Sequence, residues 1–134
     1  MTNATSIVTG TDFVTVPTTD YDRAAEFYGQ TLGLPFGKRW GEMQAGEFET
    51  GSLTIAIMQM DAFGQEFGRH RAPIALHVED FEAAKAELES RGVEFLNTID
   101  SGVCHMGIFQ DPDGNALMIH HRYAPQGVKP GGES

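Results

Sequence analysis

The chain has 134 residues, 40% of them hydrophobic, with 9 Lys and Arg against 19 Asp and Glu and a net charge of −10. That length holds one domain with a real core and leaves no room for a second. The acids are spread along the chain, and such a surface repels phosphate backbones and anionic lipid, which argues against nucleic acid and membrane as partners.

From the N-terminus, "MTNATSIVTG" has neither the basic start nor the apolar segment of a secretory leader, and the expected location is cytoplasmic. Residues 1–11 read as an arm. "FVTV" then reads as a strand, Asp20 as the cap of a helix running to about Leu32, and Gly33 as its left-handed stop. Three strand-like runs follow: "FGKRW", "GEFETG" and "SLTIAIMQM". Ile55 to Met58, in the last of these, is far too short an apolar run to span a bilayer. A polar linker, residues 61–72, leads to a second copy of the same pattern. "PIALHV" is its strand, Asp80 caps a helix over Phe81 to Arg91, and Gly92 ends it. "VEFLNT", "VCHMGIFQ" and "NALMIHHR" complete the copy. Asp20 and Asp80, and likewise Ala24 and Ala84, stand 60 positions apart, the mark of a duplicated unit. The Gly- and Pro-rich residues 124–134 read as a flexible tail.

The expected fold class is therefore α+β, two βαβββ modules over about residues 12–60 and 73–123 that make one domain, 12–123. With "FY" before "LGL" in the first helix and "DPDGN" before the last strand, the chain resembles the vicinal oxygen chelate superfamily of glyoxalases, bleomycin-resistance proteins and extradiol dioxygenases. The resemblance implies curved mixed sheets around a cavity and, in most metal-dependent members, His and Glu holding a divalent ion. It also implies a homodimer, with modules that pair within a chain or across two.

This sequence departs from that pattern where the ligands should stand. The usual first histidine position is Phe13, its counterpart in the second copy is Pro73, and the usual glutamate position is Met118. Leu53 to Met58 holds no His, Asp, Glu or Cys. Phenyl and prolyl side chains cannot coordinate, and a thioether suits copper(I) rather than zinc, magnesium or manganese. The expectation is no metal ligand set and no cofactor.

Strand alternation identifies what would line the cavity instead. Phe13 and Thr15 share a side, as do Ala75 and His77, Ala116, Met118 and His120, and Cys104, Met106 and Ile108; the intervening Val, Leu and Ile residues cover the helices. His105 and His121 should face away, unless a bulge at Gly102 or Gly107 reverses His105. The candidate ligand-binding residues are thus Phe13, Thr15, His77, Cys104, Met106, Ile108, Met118 and His120, an apolar lining with a few polar groups. Catalytic residues are not identified. Cys104, the single cysteine, cannot form an internal disulfide and has no cationic neighbour in sequence. Tyr28 and Trp40 could line the entrance, although core packing is the simpler account of both, and the acids of "GEFETG" have no evident partner.

Three functions fit these residues. The first is binding of a small apolar or aromatic molecule by a protein without the usual metal. The second is a lyase, isomerase or dioxygenase with a relocated metal site or a metal-free histidine base. The third is a structural or regulatory dimer with no ligand.

Overall fold

The structure, a computed structural model, describes residues 6–125. It contains two four-stranded mixed sheets, each backed by a helix, and the strand orders β1-β4-β3-β2 and β5-β8-β7-β6 repeat one topology. The first module comprises β1 (Val14–Thr18), α1 (Tyr21–Glu26), β2 (Phe36–Arg39), β3 (Ala45–Glu49) and β4 (Thr54–Gln59). The second comprises β5 (Ile74–His77), α2 (Phe81–Ser90), β6 (Asn97–Asp100), β7 (Cys104–Gln110) and β8 (Ala116–Arg122). In each module the first strand pairs in parallel with the last, and the other pairs are antiparallel. The sheets are curved and not closed.

Both helices begin as the sequence indicates. Asp20 Oδ1 accepts from Arg23 N at 3.2 Å and Asp80 Oδ1 from Ala83 N at 3.0 Å, satisfying amides that the first turn leaves free. Gly33 and Gly92 lie at φ 73° and 94°, where a side chain would be strained. The first helix does not keep one geometry to its end: over Phe27–Thr31 it widens into a π-turn, with Leu32 N donating to Phe27 O at 2.9 Å. Within that turn Phe27 stacks on Phe109 of β7 and Tyr28 on Phe48 of β3, so the widened end reaches both modules.

The core is continuous across the duplication. Val16, Tyr28, Phe48 and Ile57 of the first module join Phe81, Leu88, Phe109, Leu117 and Ile119 of the second in one buried cluster. One strand lies elsewhere than expected. "VEFLNT" is not a strand along its length; β6 starts at Asn97, because Val93 and Phe95 turn into the core, Phe95 with its ring 5.4 Å from that of Phe109. The linker carries a short 3-10 turn, Met60–Phe63. Of the expected tail, residues 126–134 lie outside the described residues, as do residues 1–5 of the arm.

Candidate functional site

The turn "DPDGN" is built as a clasp between modules. Asp111, buried, accepts from its own turn, from Asp113 N and Asn115 N, each at 2.9 Å. Its other oxygen accepts from Tyr28 Oη at 2.7 Å and Asn115 Nδ2 at 2.8 Å. Asn115 Nδ2 also donates to Pro17 O at 2.8 Å, and its Oδ1 accepts from His70 N at 2.8 Å. Asp113 takes hydrogen bonds from the Thr18 hydroxyl and from the Thr19 amide and hydroxyl, and pairs with Arg23 at 2.9 Å. Burial works against ionisation of Asp113, but these donors and the Arg23 charge outweigh it and hold the carboxyl below the usual carboxylate range. Burial, then the neighbouring Asp111 carboxylate, push the Tyr28 phenol far above its ordinary value, so it serves as a fixed donor.

With β1 and β8 held by this clasp, alternation fixes what each sheet presents away from the helices. On the first sheet Thr15, Ala56 and Glu47 form one cross-strand row, while Phe48 goes to the core and Gly46 lies under Tyr21. Phe13, 39% exposed, meets Trp40 edge to face at 5.3 Å, and Trp40 Nε1 donates to Glu47 Oε2 at 2.7 Å. Trp40 is therefore not a core residue, the simpler of the two sequence expectations, but stands beside Phe13 as the other expectation had it. Tyr28, fully buried, is a core residue. Of the acids in "GEFETG", Glu47 has this indole as its partner and Glu49 accepts from the Thr54 hydroxyl at 2.7 Å.

On the second sheet, Tyr123 N donates to Val103 O at 2.9 Å. This makes Cys104 and Arg122, Met106 and His120, and Ile108 and Met118 the close pairs of the β7–β8 ladder, those without direct hydrogen bonds and with the nearest side chains. The register runs unbroken through Gly107, so His105 faces the helix, its ring 5.3 Å from Phe81. His121, on that same side, bonds Val78 O through Nδ1 at 3.0 Å. Asp100, in the row of His105, accepts from Tyr123 Oη at 2.7 Å and lies 3.4 Å from His105 Nε2; the Tyr123 bond leads in lowering its pKa.

Met106, Ile108, Met118 and His120 are all half-buried on the open face, and Cys104 is buried at its end. His77 pairs with His120 in register but sits on the free edge of the sheet. Its side chain is two-thirds exposed and its Nε2 contacts Glu79 at 2.7 Å, with the ring 6.2 Å from that of His121. The structure thus gathers Phe13 and Thr15 on one sheet and Cys104, Met106, Ile108, Met118 and His120 on the other, with His77 at the margin. Among the described residues, the main recesses lie away from these faces. Recesses of about 310, 170 and 240 Å³ lie instead beside α2 and β6, at the module junction and between α2 and β5, and none of the three is lined by Phe13, Met118 or His120. Sequence reasoning missed Arg122, which lies opposite Cys104 across the ladder, a neighbour that only pairing register reveals.

The side chains at the positions where the resemblance puts metal ligands are a benzene ring, a prolyl ring and a thioether. Among the described residues no three His, Cys, Asp or Glu side chains come together to hold a metal ion. The residues present do not fit a bound divalent cation.

Comparison with known proteins agrees with the architecture. The uncharacterized protein YraH of Bacillus subtilis (strain 168) is 25% identical over 117 residues, which span 75% of this chain and 89% of that one. Lactoylglutathione lyase from Agrobacterium tumefaciens superimposes with a TM-score of 0.72 at 13% identity, over 84% of this chain and 93% of the other. TnmS3, an antibiotic binding protein from Streptomyces sp. CB03234, does so with a TM-score of 0.73 at 19% identity, over 88% and 99%. These likenesses establish the fold, which supports both a lyase and a binding protein. The family model for glyoxalase, bleomycin resistance protein and dioxygenase matches residues 10–119, nearly the whole duplicated unit described above, and the chain belongs to that superfamily.

Proposed function

We propose that this protein binds a small, largely apolar or aromatic molecule on the open faces of its sheets, without the divalent ion that serves metal-dependent members of the superfamily. The observation that carries this reading is the half-buried set Met106, Ile108 and Met118 turned away from the helices, where a soluble sheet otherwise carries polar side chains. Phe13 and Trp40 add an aromatic corner on the first sheet. Methionines adapt to ligands of more than one shape, and an antibiotic-binding protein among the structural neighbours gives the mode a precedent on this fold. Because one chain leaves the faces open, the working form in this reading is a homodimer whose second copy walls the site. The expected setting is the cytoplasm.

The test is a thermal-shift screen of aromatic compounds, followed by calorimetric titration of wild type and Met118→Glu with the best ligand. The added carboxylate meets no cation paired to it, so burying it costs on the order of 1–3 kcal/mol and weakens an apolar ligand. His121→Ala, on the helix side, leaves affinity unchanged. Equal affinities for wild type and Met118→Glu would refute the site.

A further inference from the structure

Arg122 closes the open face of the second sheet. Alternation along β8 puts it on the side of Met118 and His120, about 7 Å beyond His120 and about 13 Å beyond Met118 at the usual rise per residue. It is half-buried, yet its guanidinium is poorly served. Nη2 donates to Pro125 O at 3.2 Å, while Nε is buried and has no hydrogen-bond partner. Among the described residues Arg122 makes no ion pair, although Arg23, Lys85 and Arg91 each have a carboxylate. The acids on the opposing kind of surface, Glu47 and Glu49, are engaged by Trp40 and Thr54. A buried donor left unpaired is costly, and a guanidinium is shaped to bind the oxygens of a carboxylate or phosphate through two N–H groups.

We infer that the ligand of this site carries an anionic head, which Arg122 binds, at one end of an apolar or aromatic body lying over Met106, Ile108 and Met118. This rests on the reading proposed above and specifies the class of molecule: an aromatic acid or phosphate rather than a neutral hydrocarbon. His120, between Arg122 and Met118 on the same face, lies alongside the junction of head and body. Arg122 acts here as a binding residue. Its charge is local, so the chain's overall negative charge sets the long-range field without supplying a competing partner at short range.

The experiment titrates wild type, Arg122→Gln, Arg122→Lys and Met118→Glu with three compounds of one body, 2-naphthoate, 2-naphthyl phosphate and neutral 2-naphthamide. In wild type one or both anions bind about tenfold to a hundredfold tighter than the amide, the range for a hydrogen bond to a charged group. The preference for naphthoate over naphthyl phosphate, or the reverse, identifies the head. Arg122→Gln removes the advantage of the anions and leaves the amide unchanged, and Arg122→Lys retains part of it, which separates loss of charge from loss of fold. Equal binding of all three compounds in wild type and Arg122→Gln would overturn the anionic head and leave the apolar site standing, provided Met118→Glu still weakens them. Absence of binding by all three to wild type would overturn both.

Discussion

Asp113 supplies much of the turn's hold on β1, and its depressed pKa makes that hold depend on pH. The folded value lies below the unfolded one, about 3.9, so its contribution is complete above that pH and is lost as pH falls through the folded value. Asp113→Asn should lower stability by about 1–3 kcal/mol at neutral pH, the cost of weakening a buried charge-assisted network. Urea titrations at pH 7 and pH 3 should show the gap between variant and wild type narrowing in acid; a constant gap would mean that the Asp113 charge is not what holds β1. At this scale the sequence was informative where one periodicity governs and silent where two distant segments meet. Alternation alone assigned Met118 and His120 to one side and His121 to the other. It could not pair Trp40 with Glu47, put Arg122 beside Cys104, or draw His77 toward Glu79, since each of these depends on a ladder register or a side-chain torsion.

The elements follow local chemistry more faithfully than single contacts do. Both helix starts were visible as Asp20 and Asp80, and both stops as Gly33 and Gly92. The π-turn at Phe27–Thr31 and the late start of β6 were not, because tertiary packing of Phe27, Val93 and Phe95 on Phe109 overrides the local pattern. Gly46 shows the same dependence. It is the second residue of β3 and lies under the Tyr21 ring, which Arg39 covers from above at 4.3 Å, and a Cβ there would collide with Tyr21 Oη and stand 3.1 Å from Cζ. Gly46→Ala should therefore destabilise by about 1–3 kcal/mol despite the better strand propensity of alanine. Chemical denaturation is the measure, and a neutral or stabilising result would show that Tyr21 is free to move aside.

For the whole molecule, two homologous halves with one shared core explain why the superfamily could be recognised from the sequence, while the surface that would cover the open sheet faces could not be read from it. Each half holds its own sheet, and in the function proposed above the faces that carry Phe13, Met118 and His120 bury a ligand only against a second surface. Sedimentation velocity across a range of concentrations should give a dimer, and Met118→Glu should shift the equilibrium toward monomer if the partner copy covers that face. A monomer at all concentrations would require the site to work as an open groove.

The clasp at "DPDGN" has a further consequence for the order in which the chain is made. Asp111 bonds a residue 83 positions earlier, and Asn115 one 98 positions earlier. On a ribosome the first module emerges with the Tyr28 hydroxyl and the Pro17 carbonyl still lacking those protein partners. They acquire them only when the turn between β7 and β8 has left the exit tunnel. The first module therefore lacks these contacts until the turn between β7 and β8 has emerged, and a turn made late in the second module is what completes a strand of the first.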